Sequence, residues 1–169
     1  VEEKKYSELQ TYIDRQLTCV NKACTMLKTG NHMLDIIINY YENQIKENNI
    51  HFSVNIELPP FFEMEDVDLC AFLGNMLENA FEAVKKCNEN REVWLFIKSI
   101  GEMTVFKCQN YFSKDILLKE GNIETIKNDK FHHGIGLKSI KKIVEKYNAS
   151  IKISFEKNIF CLIVMFGKE

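Results

Sequence analysis

Two stretches of the chain carry residues suited to chemistry: Asn75-Met76-Leu77-Glu78-Asn79-Ala80 and, further on, His133-Gly134-Ile135-Gly136-Leu137. An asparagine can offer a neutral side-chain oxygen to Mg²⁺, a hard cation that takes oxygen ligands. Asn75 and Asn79 are one helical turn apart, so on a helix they stack on one side, with Glu78 and Glu82 close by. Gly134 and Gly136 let backbone N–H groups approach a ligand without a Cβ in the way, and a helix opening just after them turns its positive end toward an anion. Each half has an ordinary explanation. A helix asparagine commonly satisfies backbone groups or faces water, and a lone GxG is commonly a turn. In this order, with strands between them, the two imply a site for a magnesium nucleotide.

The elements that must hold this site are legible as periodicities. Tyr6, Leu9, Ile13, Leu17, Val20, Cys24 and Leu27 alternate steps of three and four, a heptad seam. It fits either a helix that pairs with another helix or an amphipathic helix lying on its own domain. In Thr29-Gly30-Asn31, Gly30 suits a left-handed helix stop and Asn31 a cap for the next start. A helix is predicted from about Met33 to Lys46, then a strand from His51 to Leu58 closed by Pro59-Pro60. The most apolar helix runs from Glu65-Asp66 to about Cys87, its wide apolar face arguing for packing against a sheet. A hairpin follows, Glu92 to Ile100 and Met103 to Gln109, turning at Gly101-Glu102. Tyr111 to His133 lacks periodicity and reads as a lid. Leu137 to Tyr147 is a short helix, and Ser150 to Phe155 with Ile159 to Phe166 a last hairpin around Glu156-Lys157-Asn158. The expected fold is α+β: a two-layer α/β sandwich, a mixed sheet with helices on one face.

Composition narrows the function classes. The 169 residues suffice for one domain and an appended element. With 22 basic and 24 acidic residues there is no basic excess to favour nucleic acid. The acidic start Val1-Glu2-Glu3 is no signal peptide, and no apolar run reaches membrane-spanning length, so any anchor is expected outside the chain. The six cysteines form no CxxC pair or zinc-type cluster and read as small hydrophobes in a reducing cytoplasm.

These residues carry a resemblance. The chain resembles the ATP-binding catalytic domain of sensor histidine kinases of the GHKL superfamily (the Bergerat fold), most of all the branch that includes peptide-pheromone, or quorum-sensing, receptors of Gram-positive bacteria. The resemblance runs through Thr29-Gly30-Asn31 with Leu34-Asp35, Leu69 to Ala83 around Asn75 and Asn79, Thr125-Ile126-Lys127, and His133-Gly134-Ile135-Gly136-Leu137-Lys138-Ser139-Ile140. It implies ATP and Mg²⁺ as ligands. Asn79 matches the magnesium-coordinating asparagine, and Asn75 lines the same triphosphate site. Gly134 and Gly136, with Leu137 behind them, match the phosphate-contacting segment, and Lys127 and His133 in the lid stand as partners for phosphate charge. In ATP-hydrolysing relatives a glutamate that activates water is expected where Asn75 stands. An amide cannot act as that base, so hydrolysis should be slow and the γ-phosphoryl kept for a histidine.

Two departures stand out. The usual DxGxG segment after the strand Met103 to Gln109 is absent. Asn110 occupies the place of its aspartate, whose role would be to accept a hydrogen bond from the adenine amino group; a neutral amide oxygen can accept the same bond more weakly. Nothing before Tyr6 matches a phosphoacceptor motif, and His32, His51, His132 and His133 sit at element starts or in the lid. Residues 1–30 are therefore expected to be the C-terminal helix of a dimerisation stem whose acceptor helix lies upstream, and residues 31–169 the ATP-binding domain. The partners implied are a second copy of the chain, joined through the N-terminal helix, and a response regulator. The place implied is the cytoplasmic side of a membrane-anchored bacterial protein. Two other readings remain open: an anti-sigma-type protein serine kinase, and an interaction module of the same fold that no longer binds ATP.

Overall fold

The computed structural model describes residues 29–46, 48–58, 63–113 and 135–167. The heptad seam from Tyr6 to Leu27, almost all of the lid, and Lys127, His133 and Gly134 lie outside the described residues. Within them the order is α1 (His32–Lys46), β1 (His51–Glu57), α2 (Asp66–Lys85), β2 (Glu92–Ile100), β3 (Met103–Tyr111), α3 (Ile135–Lys146), β4 (Ser150–Glu156) and β5 (Ile159–Phe166). The sheet order is β1-β2-β3-β5-β4. β1 and β2 are parallel, joined by the α2 crossover that a parallel pair requires, and the other neighbours are antiparallel. This is the expected mixed sheet under one layer of helices.

Alternation places the core. Val93, Leu95 and Ile97 of β2 and Phe106 and Cys108 of β3 are buried on the helix side. Leu69, Phe72, Leu73, Met76, Leu77, Ala80, Phe81 and Val84 of α2 meet them. Phe72 is the hub, edge-on to Phe106 and to Phe166 with ring centroids 5.2 Å apart in both cases. Burying one such ring contributes about 2–3 kcal/mol. α1 adds Leu34, Ile37, Ile38 and Ile45 on one side of α2, and α3 adds Leu137, Ile140, Ile143 and Val144. No helix among the described residues is long and apolar enough to cross a membrane.

Local chemistry fixes the boundaries. At the start of α1, Gly30 takes φ +91° and the Asn31 side-chain oxygen accepts the Leu34 N–H at 2.9 Å. The Asp35 carboxylate accepts both the Thr29 N–H (2.9 Å) and the Thr29 hydroxyl (2.7 Å), tying the joint to the first turn. The β4–β5 hairpin turns on two residues, Lys157 and Asn158, both at positive φ, the form that matches strand twist. At the end of α3, Asn148 is left-handed and Ala149 N–H reaches the Val144 carbonyl, a C-terminal lock that fixes Tyr147.

Of the boundaries that differ from the sequence reading, most by one or two residues, two bear on the site. β3 continues through Tyr111, so Asn110 lies inside the sheet and not beyond it; Val93 on one side and Phe160 on the other give its backbone ladder partners. α3 begins at Ile135, which puts Gly136 in the first turn. The N–H groups there need no intrahelical acceptor, so the helix can include a glycine at little cost.

Candidate functional site

The helix-borne amides and the glycine meet. α2 carries Asn75 and Asn79 on the side that faces the first turn of α3, and all three residues are half-buried. A Cβ built on Gly136 would lie 2.9 Å from Asn79 Oδ1, 3.0 Å from its Nδ2 and 3.1 Å from Asn75 Oδ1. Any side chain at 136 would therefore displace the amides, and its absence brings the α3 backbone directly onto them. The Asn75 NH₂ donates to the Ala71 carbonyl one turn back, which leaves Oδ1 as the end presented to Gly136. The Asn79 side chain makes no hydrogen bond within the described residues. Two amide groups and the first-turn N–H groups of α3, which the helix itself cannot satisfy, thus converge on one place.

That arrangement suits an anion accompanied by a hard cation. The N–H groups donate to phosphate oxygens, while an amide oxygen supplies a neutral ligand to Mg²⁺ without repelling the phosphate charge. No charged side chain of this cluster competes with the ligand's own charges. Among the described residues, the Cys87, Cys108 and Cys161 thiols are buried, and burial pushes the Cys108 thiol up to about 12. Cys70, read with the other cysteines as a small hydrophobe, is exposed.

The remaining site residues fall in three groups. The Leu137 side chain is buried in the core, so it anchors the glycine segment and only its N–H is in a position to meet a ligand. Asn110 is 1% exposed on the helix-facing side of β3, and its NH₂ donates to the Tyr111 carbonyl at 2.8 Å. That bond ties down the donor end and leaves the oxygen as the acceptor. Lys127, His133 and Gly134 lie outside the described residues.

The sequence reading missed a polar group at the other end of α2 and α3. Lys146 Nζ lies 2.6 Å from Asp68 and 3.0 Å from Glu65. The Tyr147 hydroxyl donates to Asp68 at 2.7 Å and accepts the Glu65 N–H at 3.1 Å. The hydrogen bond from Lys146 and then that from Tyr147 hold the Asp68 carboxyl below its ordinary 3.8, and the same carboxylates raise Lys146. Only the order of Asp and Glu at one helix start and Lys-Tyr at another helix end was visible in the sequence. Their meeting depends on tertiary packing.

A family model described as GHKL domain matches residues 64–167. Among solved structures, the chain is similar to the catalytic domain of histidine kinase ThkA in a nucleotide-free form, with TM-score 0.64, 16% identity, and coverage of 83% of this chain and 95% of that one. A further form of the same domain aligns at TM-score 0.60 and 18% identity, covering 82% and 92%. The Acinetobacter baumannii histidine kinase AdeS aligns at TM-score 0.62 and 11% identity over 80% of this chain; the matched part is 62% of the AdeS chain. No curated protein sequence matches. The sheet order, the helix layer and the family match over residues 64–167 agree, and the chain belongs to the GHKL domain family.

Proposed function

We propose that the chain is the ATP-binding catalytic domain of a two-component sensor histidine kinase, which transfers the γ-phosphoryl of Mg·ATP to a histidine carried on a segment outside residues 1–169. The observation that carries this reading is the close approach of Gly136 to Asn75 and Asn79. Asn79 would hold Mg²⁺ with Asn75 beside it, the first turn of α3 would bind phosphate oxygens, and Asn110 would accept a hydrogen bond from the base. Bound Mg²⁺ supplies charge neutralisation to the transferring phosphoryl group. The residues of this chain orient the nucleotide and donate N–H groups, work that needs no protein nucleophile. Because Asn75 is an amide and cannot take a proton from water, hydrolysis is slow and the phosphoryl group is retained for an acceptor. The similarity to histidine kinase catalytic domains and the heptad pattern of residues 6–27 support the kinase reading.

On this reading residues 1–30 form part of a dimerisation stem, the acceptor histidine precedes them, and the phosphoryl group passes to the aspartate of a response regulator. The motif run from Thr29 through Asp35 and Asn110 in place of aspartate favour the peptide-pheromone receptor branch and a membrane-anchored parent. The test is to incubate the chain with γ-labelled ATP, Mg²⁺ and a separate histidine-bearing stem. Acid-labile label on the stem is expected. Acid-stable label on a serine would replace this reading with a serine kinase, and no nucleotide binding at all with an interaction module.

A further inference from the structure

Asp68 and Asn79 are eleven residues apart on α2, and Gly136 and Tyr147 are eleven residues apart on α3 and its C-terminal cap. Eleven residues make about three helical turns and about 16 Å, so each pair lies on one face of its helix. Tyr147 still belongs to the rod, because its N–H bonds the Ile143 carbonyl at 3.1 Å. Asp68 touches Tyr147, and Asn79 faces Gly136. The two helices therefore run antiparallel and meet at two matched points of equal spacing, and Met76, Ile140 and Ile143 all belong to the hydrophobic core that the two helices share.

The points differ in what they can fix. Apolar packing between the helices is non-directional and tolerates sliding or rocking of α3 by fractions of an ångström. The amide–glycine point does not fix such movement, since no hydrogen bond joins Gly136 to the two amides among the described residues. The Tyr147 hydroxyl can. It donates to the Asp68 side chain and accepts from the Glu65 backbone, so it is fixed in two directions within the first turn of α2. Lys146 braces the same carboxylate together with Glu65. Tyr147 also packs edge-on to Phe166, with centroids 6.1 Å apart, which holds the ring whether or not the hydroxyl is present.

We infer that Tyr147, with Asp68 and Lys146, is a positioning residue for the nucleotide site: by fixing the far end of α3 on α2 it sets the gap between Gly136 and the Asn75–Asn79 amides. This rests on the reading of that gap as a magnesium-nucleotide site. Catalytic geometry is sensitive to displacements of about 1 Å, so loosening the clamp weakens Mg·ATP binding although the clamp lies three turns from the ligand.

Tyr147→Phe removes both hydrogen bonds and keeps the ring. Expected are a Kd for Mg·ATP raised about tenfold, measured well below the melting temperature, and shifts of the Gly136 backbone amide and the Asn75 and Asn79 side-chain amides in ¹H–¹⁵N spectra of the nucleotide-free protein. Lys146→Arg, which keeps a cation in reach of both carboxylates, should bind as the unaltered chain does, and Lys146→Ala should follow Tyr147→Phe. A Tyr147→Phe variant that melts lower but binds Mg·ATP unchanged, with the three amide signals unmoved, overturns the inference. Failure of the unaltered chain to bind Mg·ATP overturns the reading of the site itself, a distinct result.

Discussion

At one end of the α2–α3 pair, two uncharged amides lie against the bare backbone of Gly136; at the other, Lys146 sits between Glu65 and Asp68 while Tyr147 bonds both residues. Among the described residues, the three that form the first contact, Asn75, Asn79 and Gly136, carry no titratable group and leave hydrogen-bonding capacity unused. The second is charged and satisfied. The difference separates binding from holding: a site that must accept phosphate and Mg²⁺ keeps open donors and neutral oxygens, whereas a contact that only fixes helix position spends its polar groups on partners within the protein.

The contrast depends on a shared core, and removing that core should have the largest effect. Phe72→Ala takes away the ring between Phe106 and Phe166 and should cost about 3–5 kcal/mol in chemical denaturation, with nucleotide binding and clamp failing together. If only one end failed, the pair would not act as a unit. Next comes Asn79→Ala. It should abolish Mg·ATP binding in titration calorimetry while the melting temperature stays where it was, because alanine suits a helix and the half-buried amide has no hydrogen bond among the described residues.

The smallest effect is at the charged end, and it shows in pH. Asp68's carboxyl is held below 3.8, so its contribution is complete above that value and is lost as pH falls through the lowered pKa. Lys146 is raised above 10.5, so its contribution is complete below that value and is lost as pH rises through the raised one. The clamp is thus constant across the neutral range, and Asp68→Asn should flatten the acid side of the melting-temperature profile with a slight loss elsewhere. An unchanged acid limb in that variant would show that the clamp's charges do not matter to stability.

Much of this was legible in the sequence, for identifiable reasons. The apolar period of Leu69 to Val84 and the apolar run that marks the strand Glu92 to Ile100 are local patterns that a buried element imposes, and they held. So did Gly30 and Asn31 at the α1 joint, whose roles follow from backbone chemistry alone. Asn75, Asn79 and Gly136 were readable because a helical period puts the amides on one face and a glycine marks close approach. Asn110 was misplaced by one step: its strand lasts as long as β2 and β5 provide partners, which no local pattern of β3 reveals. The Lys146–Asp68–Tyr147 clamp was invisible because it joins residues 78 and 79 positions apart, through a helix packing that only the folded sheet establishes.

The central claim is that the contact between Gly136 and the two asparagines is the magnesium-nucleotide site. Its most direct test is Gly136→Ala, followed in parallel by thermal melting and by calorimetric titration with Mg·ATP. The glycine φ is not in the left-handed region, and alanine favours a helix by up to about 1 kcal/mol, so the fold should be kept or slightly stabilised. Its methyl group would stand 2.9 Å from Asn79 Oδ1 and push the amides aside. The account predicts a folded variant that no longer binds Mg·ATP; a folded Gly136→Ala variant that binds as tightly as the unaltered chain would contradict it.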